Sequence, residues 1–174
     1  MTSNRDIGLT MDLQGMRIQG ALESVRQRIA RATEDSGREC QAVQLVAVSK
    51  TIPAHVVRYA LRAGHRVFGE NRVQEAEVKW ASLKDEFHGI ELHLIGPLQS
   101  NKTREAMRLF DVIESVDRMK IAETIAKERD RIGRCPKLYV EVNTGAESQK
   151  AGLPPQLADA FITDCRRKIG RAHV

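Results

Sequence analysis

Five apolar runs recur along the chain, each followed by an amphipathic stretch, and this alternation limits the fold more than any other feature. The runs are "QLVAVSK" (44–50), "RVFGEN" (66–71), "IELHLIG" (90–96), "DVIESVD" (111–117) and "KLYVEVNTG" (137–145). Their starts lie 21 to 26 residues apart, with no sequence repeat accompanying the period. "QLVAVSK" is continuously apolar and β-branched, as expected of a strand covered on both faces. Strands alternating with helices predict a parallel sheet with the helices packed on it. Ahead of the first run, Leu13, Met16, Ile18, Leu22, Val25, Ile29 and Ala32 recur at helical spacing, which predicts a helix over 12–37 ending at a C-cap glycine, Gly37. Thr51 is placed to cap, and Pro53 to open, a helix closed by Gly64. Two closures fit the alternation. A doubly wound open sheet could be complete with five strands. A (β/α)8 barrel takes roughly 250 residues, so a 174-residue chain would hold its first five or so units.

Composition narrows the class. A chain of this length predicts one domain, and 41% hydrophobic with 29% charged residues is a globular balance. No apolar run approaches the roughly 20 residues that span a bilayer, so no membrane partner is expected. The N-terminus, "MTSNRDIGLTMDLQGMR", lacks the basic-then-apolar pattern of a secretory signal. Met11 offers a natural start, which would make residues 1–10 an optional extension; by domain the chain divides into an N-terminal extension, 1–11, and the domain, 12–168. Cys40, Cys135 and Cys165 are odd in number and widely spaced, which argues against a disulfide framework or zinc site and for a reducing, cytoplasmic setting. The net charge of +5 is scattered, with Arg166, Arg167, Lys168 and Arg171 supplying four of the excess charges, and aromatics are only 4%. That combination offers no stacking surface and no basic stripe for nucleic acid, and a monomer is expected. "KIGRAHV" stops in a predicted helix without a cap, and its last six residues match one reading frame of a common sequencing adapter. Residues 169–174 are therefore expected to be a non-native tail on a gene cut short.

In parallel βα architectures the chemistry gathers at the carboxyl ends of the strands. Those ends carry Ser49-Lys50, Glu70-Asn71, Gly96, Ser115 with Asp117, and Asn143. Lys50 follows five apolar or small residues, so its stem is expected to be partly buried. Burial disfavours an ammonium, and a neutral amine attacks carbonyls, which suits a Schiff base with an aldehyde such as pyridoxal phosphate. The plainer alternative is a lysine reaching solvent where a strand emerges. In "FGENRVQEAEVK" (68–79), Gly69 permits an unusual backbone conformation, and Asn71 is suited either to cap the next helix or to contact a ligand. His93 reads as a core or supporting histidine, because no His/Cys/Asp cluster accompanies it. "GPLQSNKT" (96–103) is one substitution from a phosphate-binding G-x-x-x-x-G-K-[ST] loop. It follows the third strand, however, and no uninterrupted apolar strand ends in a magnesium-binding Asp, since "DVIESVD" is broken by Glu114 and Ser115, so nucleotide hydrolysis is set aside.

Taken in order, "LVAVSKTIP", "VFGENRVQEAEVK", "LHLIGPLQSNKTREA", "FDVIESVDRMKIAE" and "VEVNTGAESQKAGLPP" resemble successive signatures of the pyridoxal phosphate homeostasis protein family, from about Leu13 to Arg167. That family is similar to the N-terminal barrel domain of alanine racemase. The resemblance implies a (β/α)8 TIM-type barrel, here its N-terminal helix and first five or so βα units. It implies bound pyridoxal 5'-phosphate, with the Schiff-base lysine falling on Lys50 and pocket positions on Asn71 and Asn143. It also implies that the near-P-loop is the family's I-G-x-L-Q-x-N-K strand-end loop. The glycine- and serine-rich segments that hold the cofactor phosphate in the family have no counterpart after Asn143. The function implied is a carrier or buffer of the cofactor without catalysis. A pyridoxal phosphate-dependent amino-acid racemase is the alternative, and an ATP-binding module a third reading.

Overall fold

The computed structural model describes residues 4–170, and the side chains of residues 13–39 and 41–170. Helix α1 (Asn4–Asp35) begins well before the expected residue 12. It ends as predicted, at Gly37 with φ of 65°. The Gly37 and Arg38 amides bond back to the carbonyls of Glu34 (3.0 Å) and Thr33 (2.9 Å), which satisfies the last turn. Five βα units follow: β1 (Ala47–Val48), α2 (Ala54–Arg62), β2 (Val67–Glu70), α3 (Val73–Glu86), β3 (Glu91–Leu94), α4 (Thr103–Leu109), β4 (Val112–Val116), α5 (Met119–Ile132), β5 (Lys137–Val140) and α6 (Ala158–Ile169).

All pairings are parallel, and the strand order is β1-β2-β3-β4-β5. That order decides between the two closures. A doubly wound sheet reverses direction at a switch point, whereas here every crossover adds the next strand to the same side. Successive right-handed crossovers then place the helices on one face, as in a barrel wall. The core is the layer between sheet and helices. Phe68, Leu92, Leu94 and Ile113 from the strands meet Trp80, Leu83, Met107, Ile121 and Ile125 from the helices, all fully buried.

On the other face, strand alternation leaves a polar layer. His93, buried, stands between two carboxylates: Nδ1 lies 2.6 Å from Glu114 and Nε2 2.8 Å from Glu91. It is a buried histidine on the inner face of the wall.

Several expectations need correction. The strands are shorter than the apolar runs, and β1 keeps only two residues of 44–50, because its ladder has a partner on one side only. Thr51 does not cap α2; Pro53 occupies the cap position, without a side-chain bond. Thr51 instead adopts φ of 62°, a left-handed conformation that is costly for a β-branched residue. Ser115 is buried rather than presented at the rim. The register slips between Ile113 and Val116, which breaks the alternation expected along β4. Of the tail expected at 169–174, the last four residues lie outside the described residues. No described helix is long and apolar enough to cross a membrane.

Candidate functional site

The rim is built where the strands end. Pairing of β1 with β2 carries one step past the regular strand, with the Ser49 amide donating to the Gly69 carbonyl at 2.9 Å. The Ser49 hydroxyl turns to the helix side and donates to Glu70 Oε1 at 2.7 Å. The next residue, Lys50, opens the turn that leads toward α2. Lys50 is exposed, so the buried stem expected from its apolar neighbours is not observed. The physical reason is the free edge of β1: Val48 beside it is itself 53% exposed.

Under this turn lies a buried polar network. Glu70 is fully buried at the end of β2. Its carboxylate accepts from Ser49 Oγ, from Trp80 Nε1 at 3.1 Å and from Lys79 Nζ at 2.9 Å. Lys79 also donates to the Ser49 carbonyl at 2.7 Å and to Glu75 at 3.0 Å. Glu75 in turn accepts the Thr51 amide at 2.6 Å. The Lys79 ammonium first, and then the Thr51 N–H, hold the Glu75 carboxyl below its ordinary range. Glu75, Lys79 and Trp80 were not singled out in the sequence, and Glu70 was named there only as a strand-end residue beside Asn71. The one local signal was the Glu75–Lys79 spacing of four along a helix.

Asn71 is half-buried beyond β2 and borders a cavity of about 570 Å3 with Arg72, Gln74, Pro97, Gln99 and Lys102. Its backbone is in near contact with Gly96, two residues beyond the end of β3. A Cβ at Gly96 would lie 2.3 Å from the Asn71 carbonyl oxygen and 2.7 Å from its Cα. Backbone atoms cannot rotate away, so Gly96→Ala must displace one strand end. Overpacking of this kind costs about 1–3 kcal/mol, and thermal denaturation should show a clearly lowered Tm.

Asn143 lies beyond β5 and borders a cavity of about 460 Å3 with Pro97, Glu141, Glu147 and Lys150. Its amide is already engaged: Nδ2 donates to the Glu147 carbonyl at 2.8 Å, and Oδ1 accepts the Glu147 amide at 3.3 Å. It staples its own loop. Burial first, with the Asp117 charge adding to it, pushes the neighbouring Glu141 carboxyl up. Pro97 borders both cavities, so the Asn71 and Asn143 sites adjoin, whereas Lys50 lines neither. Asp117 pairs with Arg118 at 2.5 Å, and Arg118 also donates to the Leu98 carbonyl at 2.8 Å, tying the end of β4 to the loop after β3.

The near-P-loop does not form a phosphate nest. Ser100–Lys102 is a short 3-10 turn leading into α4, and neither Gly96 nor Asn101 takes a positive φ. Thr103, where a P-loop would expose a hydroxyl, is fully buried. Burial also pushes the Cys135 and Cys165 thiols up, away from the reactive thiolate form.

The family model for the alanine racemase N-terminal domain matches residues 21–173. The pyridoxal phosphate homeostasis protein of Vibrio cholerae is 39% identical over 141 residues, 80% of this chain and 60% of that protein. The protein of the same name from Pseudomonas aeruginosa is 44% identical over 137 residues, 78% of this chain and 58% of that protein. The chain thus spans about 60% of the length of the curated relatives it matches. Among solved structures, PipY of Synechococcus elongatus PCC7942, determined with PLP bound, is 41% identical with a TM-score of 0.68, covering 80% of this chain and 65% of that one.

Proposed function

The chain belongs to the alanine racemase N-terminal domain family, and on that premise we propose that it binds pyridoxal 5'-phosphate, held on Lys50 as a Schiff base. Its role is to carry or buffer the cofactor and so to contribute to vitamin B6 and amino-acid homeostasis, as the names of its relatives suggest. The observation that carries this reading is the place of Lys50: an exposed amine at the carboxyl rim, directly after β1, on a turn pinned from below. When bound, the cofactor supplies an electrophilic aldehyde carbon that condenses with an amine, releasing water.

The donor set fits that aldehyde. Lys50 offers the amine at the rim, directly after β1 and next to β2. Asn71, half-buried, and Asn143, fixed by its bonds to Glu147, border the adjoining cavities and are the further contacts. The inner layer of His93 between Glu91 and Glu114 lies deeper in the wall, and its ring nitrogens are both engaged.

Racemisation needs acid and base groups placed on a substrate's α-carbon. A carrier needs only the amine and the supporting contacts, the roles proposed here for Lys50, Asn71 and Asn143. The chain mixed with pyridoxal 5'-phosphate should keep an absorption band of the bound cofactor through desalting. Added L-alanine in D2O should gain no α-deuterium beyond that seen with the free cofactor. Elution of all the cofactor in the small-molecule fraction would overturn binding, and rapid deuteration would replace the carrier by an enzyme.

A further inference from the structure

Two bonds fix the backbone on either side of Lys50. The carbonyl of Ser49, the residue before it, accepts from Lys79 Nζ at 2.7 Å. The amide of Thr51, the residue after it, donates to Glu75 Oε1 at 2.6 Å. Both partners come from the N-terminal half of α3, one turn apart, and they are bonded to each other at 3.0 Å. Lys79 is further anchored by Glu70, whose Oε1 also receives the Ser49 hydroxyl and the Trp80 indole.

We propose that Glu75 and Lys79, anchored on Glu70, are positioning residues that clamp the turn bearing Lys50 and so aim its amine; this rests on Lys50 being the attachment point. Filling space does not account for the arrangement. Apolar residues of similar volume would do so at equal or better stability than a buried ion pair. The clamp also accounts for Thr51. A left-handed conformation at a β-branched residue costs about 1–3 kcal/mol and persists only where its surroundings enforce it. Here the enforcing group is the Glu75 carboxylate, which accepts the Thr51 N–H. With both flanking residues held, the stem of Lys50 starts from one backbone geometry rather than many. Misplacement of a reacting group by about 1 Å can cost up to about a hundredfold in rate.

The test uses the full chain, pyridoxal 5'-phosphate as probe and borohydride to trap whatever has condensed. Glu75→Ala removes the anchor of Thr51 while leaving the Glu70–Lys79 pair in place, and Glu75 is not deeply buried, with 31% of its side chain accessible. Thr51 amide hydrogen exchange should then speed up at least about tenfold, and the initial rate of trapping on Lys50 should fall by about tenfold. Glu75→Gln keeps an oxygen that can accept the Thr51 N–H, and should restore most of both. A role in stability alone would lower the Tm of Glu75→Ala without slowing the trapping, and that result would overturn the clamp. Trapping that persists in Lys50→Ala would instead overturn the attachment point itself, so the two failures are distinct.

Discussion

Lys50→Ala is expected to abolish retention of pyridoxal 5'-phosphate through desalting, with loss of the bound-cofactor absorption band. The effect should be large because a covalent bond is replaced by whatever non-covalent contacts remain. It should also be clean. Lys50 is exposed, and surface substitutions away from special features usually change stability by no more than about 0.5 kcal/mol. Circular dichroism and Tm should therefore match those of the parent chain. Lys50→Arg is the sharper control, since it keeps the positive charge and the length but offers no amine able to condense.

The second large effect lies beneath the rim. Lys79→Met leaves the fully buried Glu70 carboxylate without its cation. Removing one partner of a buried ion pair costs about 3–5 kcal/mol. In a chain of this size that is a large part of the total, so chemical denaturation should show a strongly lowered midpoint. Adding Glu70→Leu should recover much of the loss, because the orphaned charge disappears. Recovery will be incomplete. Ser49 Oγ and Trp80 Nε1 would lose their acceptor, and a buried unsatisfied polar group costs about 1–3 kcal/mol. The double variant therefore separates the cost of the bare charge from the worth of the network.

What the sequence disclosed follows from which interactions are local. The apolar runs and their 21 to 26 residue spacing announce a parallel sheet, because alternation of strand and helix is written residue by residue. Gly37 marks the end of α1 for the same reason: a left-handed C-cap is a local requirement. Closure is not local. Only the observed order β1-β2-β3-β4-β5 shows that the sheet winds one way. Lys50 was legible as a strand-end amine, but its exposure was not, since burial depends on whether a neighbour covers the β1 edge. Ser115 was read as a rim residue but is buried, and the register slip between Ile113 and Val116 that accompanies it has no plain signature in "DVIESVD". The clamp was the least visible feature. Glu70 meets Ser49 across 21 residues and Trp80 across 10, contacts that exist only once the register of β1 on β2 is known.

The claim on which these expectations depend is the identity of one nitrogen. The most direct measurement loads the chain with pyridoxal 5'-phosphate, reduces it with borohydride, digests it and maps the adduct by mass spectrometry. The predicted result is a single phosphopyridoxyl group on the peptide carrying Lys50. An adduct on Lys102 or Lys150, which border the two rim cavities, or no adduct at all, would contradict it.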